Sequence, residues 1–544
     1  MHPLSTNVAG RARRDQPSSS VVLDHVSFTW PDGTAVLDDV TTSFTAGRTG
    51  LVGANGAGKT TLLRLITGEL QPTSGHIGVS GAVGYLPQHL VLATATTVSQ
   101  LLGIEPALAA VRAIERGDTA PEHFDAIGDD WDIEARARAL LDSLDLDGIG
   151  LDRRVGTLSG GEAVLVGLAG LRLAQSPVVL LDEPTNNLDR VARAHVREQI
   201  RTWRGALVVI SHDLALLELM DDTAELRAHQ VSVFGGPFSQ FREAIETEQR
   251  AAERGLGSAE ARLKVERRQR IEADTKLARR ASKGRKDHQR KTAPKIILNA
   301  RKSAAQASAG KLRGELDDRI EKAQAEVTAQ TERIRDDAVI RVDLPVCGVS
   351  ASRRLAELRD GERTIVLQGP ERVALTGRNG VGKTRLVDTL LHPETGDGRP
   401  VYGIAHTRRI GLLAQRLDDF DERGSVLDNV RAAAPRVPPG QVRAALARFL
   451  FRADEVARPM SSLSGGERFR VALARLLLAD PPHQLLILDE PTNNLDLDSV
   501  ESLVTALSGY TGGLLVISHD DRFLQRIGVT TRVELADDRL TLLR

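Results

Sequence analysis

The stretch Gly53-Ala54-Asn55-Gly56-Ala57-Gly58-Lys59-Thr60 decides the fold. It has the pattern G-x-x-x-x-G-K-[S/T], in which glycines let the backbone fold so tightly that its N–H groups converge on phosphate oxygens. A helix beginning at the end of such a loop adds its positive pole. Around it, Thr49-Gly50-Leu51-Val52 reads as a buried strand, and Thr61 to Ile66 has helical apolar spacing. Strand, glycine loop and helix is the context a phosphate cradle needs. Lys59 then suits the β- and γ-phosphates, and the Thr60 hydroxyl suits Mg2+. The pattern returns as Gly377-Arg378-Asn379-Gly380-Val381-Gly382-Lys383-Thr384, so the chain reads as a duplicated nucleotide machine.

Other segments repeat in the same order. Gln88 and Gln415 each follow a short apolar strand. Leu158-Ser159-Gly160-Gly161-Glu162 is matched by Leu463-Ser464-Gly465-Gly466-Glu467. The apolar strand ending Asp182-Glu183 is matched by one ending Asp489-Glu490, and a strand ending in His212 by one ending in His519. The offset is 324 at the lysines, 327 at the glutamines, 305 at the serines and 307 at the glutamates and histidines. The first copy therefore carries about 20 more residues between Gln88 and Ser159, an insert expected on the surface near residues 95–149.

Each motif has a chemical reading. Asp182 and Asp489, at strand ends, suit Mg2+. Glu183 and Glu490, one residue on, suit polarisation of an attacking water. His212 and His519 are placed to contact a γ-phosphate and orient those glutamates. Gln88 and Gln415 suit sensing of the metal and the water. The Ser-Gly-Gly-Glu segments open helices and offer a hydroxyl, backbone N–H groups and a dipole to a second anion contact. One nucleotide on one domain does not need two cradles, so a head-to-tail arrangement is expected. Ser464, Gly465 and Gly466 would close on the nucleotide of Lys59, and Ser159, Gly160 and Gly161 on that of Lys383.

Composition bounds the rest. At 544 residues the chain exceeds a single core. One cysteine, Cys347, excludes a disulfide framework and a thiolate metal cluster within the chain. No apolar run approaches the roughly 18–20 residues that span a bilayer. Met1 to Ser20 is polar and reads as a disordered tail on a cytoplasmic protein. A formal charge of −1 hides a strong asymmetry. Residues 250–313 hold 20 Lys and Arg against 6 Asp and Glu, a balance of +14, and the remainder is at −15. A basic block between acidic flanks implies a polyanion partner. Around it, Ile245, Ala252 and Ala259 are seven apart, as are Leu256 and Leu263. Leu312, Leu316, Ile320, Ala323 and Val327 form a helical stripe. Two amphipathic helices in an antiparallel hairpin follow, broken near Pro294 and basic at the tip through Lys283, Arg285, Lys286, Arg290, Lys291 and Lys295.

The expected architecture is α/β. A first P-loop ATPase domain spans residues 21–244 and a second spans 338–544. A helical hairpin linker of residues 245–337 joins them. P-loop, glutamine segment, Leu-Ser-Gly-Gly-Glu, double carboxylate and histidine, in this order and twice, resemble the ATP-binding cassette superfamily. Both double carboxylates continue as Glu-Pro-Thr-Asn-Asn-Leu-Asp, at 183–189 and 490–496. With fused cassettes and a charged linker, this is similar to the ABC-F family. That resemblance implies an ATP- and Mg2+-dependent ATPase that binds the ribosome. The linker would meet ribosomal RNA and P-site tRNA near the peptidyl-transferase centre, in a monomer whose own cassettes pair. Some members set translation states and others protect ribosomes from antibiotics; the long linker and short arm favour the latter. An exporter's ATP-binding subunit and a nucleic-acid repair ATPase are the competing readings. Trp30 stands where the family stacks an aromatic on adenine, and the second copy has no aromatic equivalent. Thr61 follows the first P-loop threonine, whereas Arg385 follows the second. After the first Ser-Gly-Gly-Glu the helix lacks the arginines Arg468, Arg470 and Arg475 of its twin and gains Gly167 and Gly170, so the site of Lys383 and Ser159 is expected to be the weaker.

Overall fold

The computed structural model describes residues 20–88, 95–289, 295–334, 346–393, 400–414, 420–493 and 495–543. The chain divides into two compact units. One contains Met1–Phe238 together with Ala338–Arg544, so both P-loops lie in it; the other is Ser239–Asp337.

Each half of the first unit is built on a six-stranded sheet. In the first half the order is Val83–Leu86, Val178–Asp182, Ala206–Ile210, Gly47–Val52, Asp222–Arg227 and Gln230–Gly235. The first five strands are parallel and the last is antiparallel. The second half repeats the order with Ile410–Leu413, Leu485–Asp489, Gly513–Ile517, Arg372–Thr376, Thr531–Ala536 and Arg539–Leu543. Val178–Asp182, Ala206–Ile210, Leu485–Asp489 and Gly513–Ile517 are buried at every residue. That burial is why they read as unbroken apolar runs rather than alternating ones. An antiparallel three-stranded sheet accompanies each: Ala35–Phe44, Val21–Thr29 and Ser74–Val79 in the first half, and Thr364–Gln368, Arg354–Arg359 and Tyr402–Ala405 in the second.

Parallel strands put their carboxyl ends on one edge, where open α/β sheets bind ligands. The two P-loops, both double carboxylates and both histidines follow such strand ends. Between Gln88 and Ser159 the first half has helices Val98–Leu101, Glu105–Glu115, Pro121–Ile127 and Ile133–Asp142, where the second half has only Val426–Ala433 and Pro439–Arg448 among its described α-helices.

The second unit is a pair of long helices, Phe238–Gln289 and Lys295–Arg333. They run antiparallel: Arg262 pairs with Glu326, Arg270 with Asp317, and Arg313 with Asp274. The seam buries Ala252, Ala259, Leu263, Leu316 and Ala323. Small alanines there let two charged helices approach closely. Ile245, Leu256, Ile320 and Val327 are half-buried, whereas Leu312, expected in the seam, is exposed. Of the basic tip, Lys283, Arg285 and Lys286 fall on the first helix and Lys295 opens the second, with their side chains outside the described residues. Arg290, Lys291 and Pro294 lie wholly outside them.

Candidate nucleotide sites shared by the two halves

The P-loops adopt the backbone their glycines were read for. Gly53, Gly56 and Gly58 have φ of 151°, 80° and 105°, and Gly377, Gly380 and Gly382 have 140°, 79° and 105°. Gly58 and Gly382 cap helices Lys59–Ile66 and Lys383–Leu391 in the left-handed conformation. Lys59 Nζ donates to the carbonyls of Gly53 (2.6 Å) and Ala54 (3.0 Å). Lys383 Nζ repeats this with Gly377 (2.7 Å) and Arg378 (3.1 Å). Both ammonium groups are thus held against their own loops.

The threonine following each lysine meets the strand-end aspartate. Thr60 Oγ1 donates to Asp182 Oδ2 at 2.8 Å, and Thr384 Oγ1 to Asp489 Oδ2 at 3.0 Å. A hydroxyl and a carboxylate side by side at a P-loop are the donor set that suits a hard cation with retained waters. Burial pushes Asp489 above the usual carboxylate range, so a bound cation would restore the charge that burial opposes.

Glu183 and Glu490 are held in strained backbone, with φ of 50° and 46°. Each continues the sheet ladder, its N–H donating to Ile210 O or Ile517 O at 2.9 Å. The left-handed turn at that residue breaks the chain away from its strand direction. Strain of this kind costs of order 1–3 kcal/mol and gathers at functional sites. His212 Nε2 lies 3.0 Å from Glu183 Oε1, and His519 Nε2 lies 3.3 Å from Glu490 Oε1. Neither approach is aligned as a hydrogen bond. Among the described residues, Glu183 Oε1 and both Glu490 carboxylate oxygens have no hydrogen-bond partner. Buried acceptors without partners are costly, and these match a water or ligand donor. Burial pushes Glu490 up to about 7, against the pull of Lys383. Glu183 is raised for the same reason, opposed by Lys59. Burial pushes His212 down to about 3 and His519 down to about 4. Near neutral pH each histidine is therefore uncharged, able to donate from only one ring nitrogen.

The halves meet through the segments after the double carboxylates. The Asn55 N–H, inside the first P-loop, donates to Asp496 Oδ2 at 2.8 Å. Asn379 Nδ2, inside the second, donates to Asn187 O at 2.9 Å, and Asn493 Nδ2 donates to Asn187 Oδ1 at 3.1 Å. The Ser-Gly-Gly-Glu helices stand next to this seam. A Cβ on Gly466 would lie 3.8 Å from Asp496 Oδ2, the same oxygen that Asn55 holds. A Cβ on Gly161 would lie 3.7 Å from Leu188. Ser159 and Ser464 each cap their helix, accepting from Glu162 N and Glu467 N, while each glutamate returns to the serine N–H. The second site is a cavity of about 310 Å³, whose walls include Asn187 and Leu188 from one half and Lys383, Thr384, Glu490 and His519 from the other.

Other expected residues are placed less centrally. Trp30 packs edge-on to Phe28, with ring centroids 5.0 Å apart, at a turn that Gly33 N closes onto Trp30 O. Across that turn, Val36 abuts Gly58: a Cβ there would sit 2.1 Å from Val36 Cγ1. In the second half the corresponding turn holds Asp360, whose carboxylate accepts from the N–H groups of Glu362, Arg363 and Leu540. Thr61 is half-buried on the P-loop helix and Gln88 is exposed at its strand end. Gln415 lies outside the described residues. Asn187, Asp189, Arg193 and Asp496 were not singled out for a role from the sequence. The available signal was the seven-residue identity Glu-Pro-Thr-Asn-Asn-Leu-Asp, which exceeds what a helix N-cap needs. Asp189 and Asp496 do cap helices, accepting from Ala192 N and Ser499 N, and Asp496 also reaches across.

Comparisons with known proteins bear on this geometry. The family model described as "ABC transporter" matches residues 37–186 and 364–493. The tylosin resistance ATP-binding protein TlrC of Streptomyces fradiae is 32% identical, covering 94% of this chain and 97% of that protein. The energy-dependent translational throttle protein EttA of Mycobacterium tuberculosis is 30% identical, covering 90% and 87%. The structure of archaeal ABCE1, described as a ribosome recycling factor in complex with the ribosomal stalk protein aP1, superposes with a TM-score of 0.54 at 18% identity, covering 94% and 87%. At that identity it bears on the fold alone.

Proposed function

This chain belongs to the ABC-F family of ATP-binding cassette proteins and hydrolyses ATP, and from that premise we propose that it is a ribosome-acting clamp closed by ATP and Mg2+. Two composite sites carry the nucleotides. Lys59, Thr60, Asp182, Glu183 and His212 form the first with Ser464 and Gly466; Lys383, Thr384, Asp489, Glu490 and His519 form the second with Ser159 and Gly161. The threonine and aspartate of each site would hold Mg2+, which when bound would supply charge neutralisation at the phosphates, and the glutamate would orient and deprotonate water. The observation that supports shared sites is the Asn55 N–H to Asp496 bond, which ties one P-loop to the other half.

The proposed partner is structured RNA of the ribosome. One relative is named for a translational throttle, which supports a role in translation, and another for tylosin resistance, which supports antibiotic protection. The charge of residues 250–313, +14 against −15 elsewhere, supports a polyanion at the hairpin, since Lys and Arg contacts to phosphate dominate such affinity. Within that reading the hairpin of residues 245–337 acts near P-site tRNA, and the protein works in the cytoplasm as a monomer that protects ribosomes from an antibiotic. Among the described residues no helix is long and apolar enough to cross a membrane.

Co-sedimentation with 70S ribosomes tests this. A Glu183→Gln/Glu490→Gln variant is expected to pellet with ribosomes in ATP and not in ADP. Changing Lys283, Arg285, Lys286, Arg290 and Lys291 together to alanine should reduce that pelleting at least tenfold while leaving ribosome-free ATPase within twofold. Pelleting indifferent to nucleotide would sink the clamp, and equal loss of both activities would sink the hairpin's role.

A further inference from the structure

The two composite sites face different charges from the opposite half. Helix Arg190–Arg201 of the first half follows Asp189 and buries Arg193, Val196 and Ile200. Two of these are apolar, as that face requires. Arg193 is a cation only 8% exposed, and cations are seldom buried unless paired. Its Nε has no partner, and among the described residues no carboxylate forms an ion pair with it. Its counterpart in the second half, by alignment of Asp189 with Asp496, is Val500, which packs against an apolar core. The same position on the repeated helix is therefore apolar in the second half.

Arg193 lies one turn beyond Asp189, on the segment whose Asn187 and Leu188 line the cavity with Lys383, Glu490 and His519. Arg193 is not part of the cavity wall itself, but Glu490 and His519 in that wall feel its charge: burial raises Glu490, and Lys383 and then Arg193 oppose the rise. Both sites receive an aspartate from the opposite half, Asp189 facing Lys383 and Asp496 facing Lys59, but the first site also receives Asp498 where the first half has Val191.

Resting on the composite-site reading above, we propose that Arg193 is a trans-acting cation that recognises the terminal phosphate of the nucleotide held by Lys383. The second site therefore distinguishes ATP from ADP more sharply than the first, and the two nucleotides have unequal parts in closing the clamp. A buried guanidinium with a free donor is matched to a dianionic oxygen cluster, where charge-assisted hydrogen bonds are strongest. ADP, lacking the terminal phosphate, gains nothing from it.

The test is a binding measurement on the full chain carrying Lys59→Ala, which silences the first site. ATP and ADP are titrated in competition with a fluorescent trinitrophenyl-ADP, without turnover as readout. Arg193→Met keeps the apolar stem, and Arg193→Lys keeps the charge. The expected result is a fall of about tenfold in the ratio of ATP to ADP affinity for the Met variant, with ADP affinity within twofold of the parent and the ratio partly restored in the Lys variant. A ratio unchanged by Met, or ATP and ADP weakened alike, would mean that Arg193 serves packing only and would overturn the proposal. Absence of ATP binding in the Lys59→Ala parent would overturn the composite-site reading beneath it.

Discussion

Glutamine at both Glu183 and Glu490 is expected to lower steady-state ATP hydrolysis by about 10²–10⁴-fold, the range for loss of a positioned general base. The same substitution should stabilise the nucleotide- and metal-free protein, in a pH-dependent way. Glu490 sits at about 7, above its unfolded 4.5, because its burial outweighs the pull of Lys383. A carboxyl raised on folding stabilises most below its unfolded pKa, and that contribution is lost as pH rises through the folded value. His519 has the opposite sign: lowered from 6.5 to about 4, it contributes above 6.5 and loses that as pH falls. In the wild type the two slopes oppose each other between about 4.5 and 6.5. Glutamine removes the first and leaves the second. For Glu490→Gln alone the advantage should therefore be near zero at pH 5 and roughly 2–3 kcal/mol at pH 8, and Glu183→Gln adds to it in the same direction. Thermal unfolding at the two pH values measures it, with a rise of several degrees expected only at the higher. The same rise at both would show that the glutamates are not the titrating groups.

The repeat made much of this legible in advance. Every P-loop glycine, the Thr60–Asp182 and Thr384–Asp489 pairs and both His–Glu approaches involve residues that the duplicated order singles out, because tight turns and strand ends impose residue types locally. Residues acting across the seam were less legible. Asp496 and Asp189 satisfy a local rule as N-caps, and only the seven-residue identity that ends on each of them hints at more. Arg193 is invisible to periodicity: its position reads as one more charge on a helix with four arginines, at 190, 193, 197 and 201. Only the burial of that face separates it from the solvated ones. Leu312 failed in the other direction. It shares the helical period of Leu316 and Ile320, yet the seam is set by the alanines opposite, and its turn stays exposed.

Gly53→Ala and Gly377→Ala are expected to be the most disruptive single-methyl changes in either P-loop. At Gly53, φ is 151° and an added Cβ would lie 2.4 Å from Leu226 O; at Gly377, φ is 140° and the distance to Leu535 O is 2.3 Å. These carbonyls belong to the strands paired with the ones that enter the P-loops. The methyl cannot be accommodated by a rotamer change, because a ladder backbone would have to move. A conformation that is nearly glycine-only costs of order 1–3 kcal/mol, and the backbone overlap adds to it, for a total of about 3–5 kcal/mol. Gly56 and Gly380 provide the internal control. Their φ values are 80° and 79° with nothing within 4 Å of an added Cβ, so alanine there should cost only about 1–2 kcal/mol. Gly58 and Gly382 share a φ of 105°, but only Gly58 faces a side chain at close range, Val36 Cγ1 at 2.1 Å. Gly58→Ala should thus be worse than Gly382→Ala, and Gly58→Ala combined with Val36→Ala should recover most of the difference. Denaturant unfolding of each variant orders them. If Gly53→Ala proved no worse than Gly56→Ala, the strand carbonyl would not be what fixes the loop, and the placement of Lys59 Nζ on Gly53 O would need another cause.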